Sequence, residues 1–145
     1  MQTFLPYASY EKSLRCLDQT RLGKQRTETY QIAKILSGLA RTKAWSNHTA
    51  VLQWQGYLPS LIEYGLMCCS IWKEKGFADT VYMKLLLIPT VHTTILGDKP
   101  YWLGDERYHS SHRANLLRKD FNFYSKYSWN EDPTTPYFWP TPQPI

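Results

Sequence analysis

One helix whose apolar stripe turns polar halfway along restricts the fold of this chain more than any other feature does. From Thr20 to Ala40 the sequence reads "TRLGKQRTETYQIAKILSGLA". Ile32, Ile35 and Leu39 recur at the three- and four-residue steps of a single helix face, and the same track followed backwards meets Glu28, Gln25 and Arg21. Unpaired charge inside an apolar core costs several kcal/mol. The upper half of the helix therefore belongs to the core, and the lower half must border water or a ligand. A surface ion pair between Arg21 and Glu28, worth under about 1 kcal/mol, is the bland alternative. Charge density weighs against it, because Arg21, Lys24 and Arg26 crowd into the first turns, where the helix macrodipole disfavours cations. A phosphate backbone would relieve that clash by charge and by the free amides of the helix start.

The remaining segments are also helical in pattern. Ser9 is placed to cap a short helix running to about Asp18, and Gly38 to end the helix just described. Polar "RTKAWSN" makes a loop, Asn47 can cap a further piece, and Pro59 and Gly76 bracket a long apolar helix, "PSLIEYGLMCCSIWKEKG". Asp79 can cap "TVYMKLLL", which Pro89 stops. Residues 90–104 are expected to be loop, since one β-branched run without a partner makes no sheet. A later helix is expected to start at Ser110 or Ser111 and run to Lys119, followed by the aromatic turn "DFNFYSKYSW". The end, "DPTTPYFWPTPQPI", carries five prolines and is expected to be extended. The expected fold is all-α, with a single compact helical domain over residues 1–132 and a Pro-rich C-terminal arm over 133–145 lying on it through Tyr137, Phe138 and Trp139.

With 17 Lys and Arg against 12 Asp and Glu, the chain suits a polyanionic partner. Three cysteines, two of them adjacent in an apolar helix, read as reduced thiols. No basic leader followed by an apolar core and no membrane-length apolar run is present. An intracellular, cytoplasmic protein without membrane attachment is expected. A second basic cluster, "YHSSHRANLLRKD", places Arg113, Arg118 and Lys119 after the presumed helix start, where Ser110 and Ser111 would offer hydroxyls to phosphate. His109 and His112 share a helix face, as metal ligands can, but no carboxylate or thiolate stands at a suitable spacing. No metal site is expected, and no strained nucleophile turn surrounds the serines. Trp54 and Trp72 are expected to pack in the core. Tyr124, Tyr127 and Trp129, directly after the basic cluster, suit either packing or stacking on bases.

Together, "LDQTRLGKQRTE", "NHTAVLQWQGYLPSLIEYGLMCCSIWKEKGF", "HSSHRANLLRKD" and "YSKYSW" resemble the pyrimidine-dimer DNA glycosylases, the endonuclease V family of phage repair enzymes and their bacterial relatives. Only the arm after about Trp129 falls outside the resemblance. It implies an all-α, single-domain enzyme, here expected to be a monomer, that kinks damaged or modified double-stranded DNA and extrudes a base. An amine then attacks the sugar C1′, an imine forms with help from a carboxylate, and β-elimination cuts the strand. No metal or cofactor is implied. In the family the amine is the α-amine of the chain start after removal of Met, and the carboxylate is a Glu directly after an Arg. An α-amine has a pKa of about 8 against about 10.4 for Lys, so far more of it is free base at neutral pH.

Two departures shape the candidate residues. Arg21 matches the family arginine, but Leu22 follows it, which makes Glu28 the candidate carboxylate and Asp18 the second choice. Bulky Gln2 ordinarily blocks Met removal, so the amine belongs to Met1 or, after processing, to Gln2, with Lys24 as a fallback nucleophile. Candidate DNA contacts are Gln25, Arg26, His48, Ser110, Ser111, Arg113, Arg118, Lys119, Tyr127 and Trp129. Three alternatives stay open: a different lesion or modified base, an enzyme acting on nucleotides or RNA, and a non-catalytic DNA- or RNA-binding module.

Overall fold

A close helix crossing, made possible by Gly65, sets the frame of the molecule. The computed structural model describes residues 1–144, and Ile145, the last residue of the expected arm, lies outside them. Helix α2 (Gln19–Ser37) lies against α4 (Leu58–Glu74), and α5 (Val81–Leu86) touches both. A Cβ on Gly65 would come within 2.7 Å of Leu85 Cδ1 and Thr29 Cγ2, so only glycine lets α4 sit this near its neighbours. Shorter helices complete the body: α1 (Tyr10–Arg15), α3 (Thr49–Leu52), α6 (Glu106–Lys119) and α7 (Phe121–Tyr124). Among the described residues there is no strand, and no helix is long and apolar enough to cross a membrane.

Local chemistry accounts for the helix ends. Ser9 caps α1, accepting from Lys12 N at 3.1 Å. That helix stops at Arg15, short of the expected Asp18, because Asp18 instead caps α2 by accepting from Arg21 N at 3.3 Å. Gly38, at φ 86°, closes α2 in the left-handed conformation. His48, not Asn47, caps α3, its Nδ1 accepting from Ala50 N at 3.0 Å. Asp79 accepts from Tyr82 N at 2.8 Å at the start of α5. The largest correction concerns α6, which starts at Glu106 rather than at Ser110 or Ser111. Asp105 caps it, accepting from Arg107 N at 3.0 Å. The Ser111 hydroxyl turns back to Tyr108 O at 2.8 Å, a bond typical of serine inside a helix.

The core joins Leu22 and Ile32 of α2, Leu61, Tyr64, Cys68 and Ile71 of α4, Leu116 and Leu117 of α6, and Trp54, Trp102 and Tyr108, all buried. Leu39, expected on the apolar stripe, is half exposed because α2 ends before it. Trp54 packs inside as expected; Trp72 is only half-buried, stacked on Phe77 with the Arg26 guanidinium over its ring. All three cysteines are buried free thiols, and burial pushes those of Cys16 and Cys69 up to about 12. Residues 133–144 carry no helix and run along α6, where Phe138 N donates to Ser111 Oγ at 3.0 Å and Arg118 donates to Pro133 O at 2.9 Å.

Candidate active site

The start of the chain is an extended segment buried in the body, with Gln2, Thr3, Phe4 and Leu5 at 6% exposure or less. An extended backbone inside a helical protein has no ladder to satisfy it, so side chains must do so. Trp54 Nε1 donates to Thr3 Oγ1 at 2.9 Å, and Phe4 N donates to Gln25 Oε1 at 2.9 Å. The Tyr64 hydroxyl lies 2.8 Å from the Phe4 carbonyl and 2.7 Å from Gln25 Oε1. Two histidines of α6 hold Leu5: its N–H donates to His112 Nδ1 at 3.0 Å, and His109 Nδ1 lies 2.8 Å from its carbonyl. His109 Nε2 accepts from Gly104 N at 2.9 Å, which leaves the ring proton on Nδ1 to reach Leu5. Burial pushes the pKa of both rings down, that of His112 to about 3, so both bind Leu5 as neutral imidazoles. These bonds employ the two rings in holding backbone, and among the described residues no cluster of three or more His, Cys, Asp or Glu side chains is arranged to hold a metal ion.

Gln25, on the polar half of the α2 stripe, ties this segment to the charged end of the helix. Its Nε2 donates one proton to the Gln2 carbonyl at 2.8 Å and the other to Glu28 Oε2 at 3.0 Å. Met1, Gln2, Arg21, Lys24, Gln25 and Glu28 line one cavity of about 300 Å³, with Phe4, Thr20, Lys119 and Tyr137 completing its wall. Gln2, one of the lining residues, has a buried Nε2 without a hydrogen-bond partner. Arg21 pairs with Asp18 at 3.1 Å. Burial raises the Asp18 pKa, but hydrogen bonds from Tyr124 and Arg21 more than offset it and hold the carboxyl below its usual value. Asp18 thus spends its oxygens on a helix cap, Arg21 and Tyr124, and it does not line the cavity. Lys24 and Lys119 make no ion pair among the described residues.

Several expected DNA contacts have other employment. Arg26 is paired with the buried carboxylate of Asp79 and covers Trp72. Ser111 is buried; Ser110 donates to Glu131 at 2.9 Å. Arg113, its side chain 11% exposed, is held by Glu106, Glu131 and the Pro6 carbonyl. With α6 starting one turn early, these three sit inside the helix and not at a phosphate-binding start. Tyr127 and Trp129 stack on each other with centroids 5.1 Å apart, donating to Cys16 O and Tyr7 Oη at 3.0 and 2.9 Å. They are half-buried packing residues. Arg118 and Lys119 stay exposed, and Lys119 reaches the cavity. His48 lies near the chain start: burial and the Met1 ammonium lower its pKa. Phe4, Thr20 and Tyr137 carried no chemical signal in the sequence, since their place at the cavity depends on how the chain start and the arm fold back.

One cavity of this all-α body thus brings together Met1, the basic residues Arg21, Lys24 and Lys119, and Glu28. The sequence model described as pyrimidine dimer DNA glycosylase matches residues 1–85, more than half of the chain, and the chain belongs to that DNA glycosylase family. The match contains Met1, Arg21, Lys24 and Glu28, and it ends before α6 and the arm. No curated protein and no solved structure gives a significant match.

Proposed function

We propose that this protein is a DNA glycosylase with associated lyase activity that acts on damaged duplex DNA as a monomer, with pyrimidine dimers the lesion its family points to. One observation carries the proposal: Gln25 Nε2 bonds the Gln2 carbonyl and the Glu28 carboxylate at once, in a cavity that Met1 also lines. The amine is that of intact Met1, because the bulk of Gln2 opposes removal of Met and Gln2 is itself buried. Its nitrogen attacks the deoxyribose C1′ and forms an N–C1′ bond as the bond to the base breaks, the base leaving with the electron pair. Glu28 takes the proton released from the attacking nitrogen and returns one to O4′ as the sugar opens, giving an imine. Loss of a C2′ proton then expels the 3′ phosphate. Arg21, Lys24 and Lys119 hold the phosphates on either side, and Lys24 is the reserve nucleophile.

Borohydride reduction during reaction with a duplex containing a pyrimidine dimer or an abasic site tests this. A covalent protein–DNA adduct mapped by mass spectrometry to the Met1 nitrogen is expected. Binding that weakens steeply with salt, without any adduct or strand cleavage, would overturn the enzyme assignment in favour of a binding module.

A further inference from the structure

A second cleft, which the proposed reaction does not use, is formed by the later turns of α2 and the loop that follows them. Its volume of about 480 Å³ lies within the roughly 300–1,000 Å³ of ligand-binding clefts. The lining has two chemistries. Ile35, Leu39 and Trp45 are apolar, and Leu39 and Trp45 stand 50% and 56% exposed. Lys34 and Arg41 are cationic, and neither makes an ion pair among the described residues. Local sequence supplies no counter-charge: from Thr29 to Ile62 the chain holds Lys34, Arg41 and Lys43 and no Asp or Glu.

Core packing gives no reason for a large side chain at Trp45. Its φ of 72° is strained for any residue but glycine, and the turn around it is braced by His48 N donating to Trp45 O at 2.9 Å and Ser46 N to Lys43 O at 3.1 Å. The two chemistries of the lining select an occupant. A phosphate backbone would pair with the cations and leave Ile35 and Leu39 in water. A second copy of this chain, with a net charge of +5, would bring further positive charge to a segment that already lacks an acid. A peptide with Asp or Glu around one large apolar side chain satisfies both parts. The apolar side chain takes Leu39 and Trp45 out of water, and the carboxylates meet Lys34 and Arg41. Trp and Arg are also the residues in which binding hot spots are enriched.

We propose that the cleft docks an acidic segment of another protein, anchored by one large apolar side chain against Leu39 and Trp45. The proposal does not depend on the glycosylase reading, because neither Trp45 nor the two cations line the active cavity.

The test titrates the protein into a fluorescein-labelled peptide of alternating Asp and Ser with one central Phe, Leu or Trp, read by anisotropy. Saturable binding at micromolar concentration is expected for at least one of the three. Replacing the central residue of that peptide with Ala, or its Asp with Asn, weakens binding about tenfold or more, as loss of a hot-spot contact does. On the protein, Trp45→Ala does the same, as does Lys34→Glu combined with Arg41→Glu, while Trp45→Phe keeps the binding. The doubly acidic variant in turn takes the peptide in which Lys replaces Asp. Arg41 and Trp45 are exposed, so their variants keep the wild-type melting temperature. No saturable binding, binding indifferent to the central side chain, or variants indistinguishable from wild type would overturn the proposal. Loss of duplex affinity in these variants, with the peptide unbound by wild type, would overturn it in favour of DNA. Borohydride trapping on an abasic duplex at saturating DNA keeps the two readings apart. Trp45→Ala still traps, whereas failure of wild type to trap removes the glycosylase mechanism and leaves the peptide result standing.

Discussion

The side-chain amide of Gln25 donates to the Gln2 carbonyl at 2.8 Å, joining the first residues of the chain to α2. The same side chain serves Glu28, Phe4 N and the Tyr64 hydroxyl. Replacing it with Leu keeps the volume and strands those groups, each at about 1–3 kcal/mol if it stays buried. Gln25→Leu is therefore expected to lower stability by at least about 2 kcal/mol in denaturant unfolding. Trapping at saturating DNA should fall much further than DNA affinity, because the terminal amine loses its register with Glu28. Equal losses in both would show that Gln25 only supports the fold.

Glu28 is half-buried and contributes one hydrogen bond to the fold, so its removal should be a chemical lesion and not a structural one. Glu28→Gln is expected to reduce single-turnover cleavage by about 10²- to 10⁴-fold, the usual contribution of a positioned acid–base group. Affinity should stay within about threefold, since the change removes a negative charge near phosphate. Asp18→Asn is the comparison. Asparagine still caps α2, so the effect should come from the loosened contacts to Arg21 and Tyr124 and remain far smaller.

Two residues that carry primary amines line the cavity, Met1 and Lys24. Lys24→Met with a free chain start should still form the borohydride adduct, with weaker binding and a shallower salt dependence from the lost phosphate contact. Blocking the α-amine by acetylation should abolish the adduct and preserve affinity. The reverse pattern assigns the attack to Lys24.

Much of this was legible in the sequence, and the rest was hidden for physical reasons. The turn of the α2 stripe from Ile32 to Gln25 and Arg21 announced a cleft, since charge is not buried unpaired, and Pro59, Gly76 and Asp79 marked helix ends through local chemistry. The start of α6 was misplaced because Asp105 and Ser110 are both competent caps, and local sequence does not rank them. Arg26 and Arg113 looked like phosphate ligands because their partners, Asp79, Glu106 and Glu131, lie 53, 7 and 18 residues away in sequence. Tyr137's place at the cavity beside Arg21 and Glu28, and the paired grip of His109 and His112 on Leu5, likewise depend on contacts across about a hundred residues.

That grip makes the protein acid-sensitive. His112 accepts the Leu5 N–H on Nδ1, so a proton placed there turns an acceptor into a donor facing another donor. The groups around it offer no relief: burial and neighbouring His109 both lower its pKa, and the nearby rings of Phe4, Tyr108 and Tyr137 carry no negative charge. Its folded pKa of about 3 lies below the ordinary 6.5, so the unfolded chain binds more protons. The stabilisation is complete above pH 6.5 and is lost progressively as pH falls towards 3, several kcal/mol in all. Asp18 and Asp79, also held below their usual values, add to the loss only at the acid end. The melting temperature of wild type should thus fall steeply between pH 6.5 and 4. His112→Asn supplies an uncharged acceptor for Leu5 N–H; it should be less stable than wild type at pH 7, from lost ring burial, yet flatter across that range. A variant that keeps the full wild-type slope would move the acid sensitivity to His109, whose pKa burial also lowers.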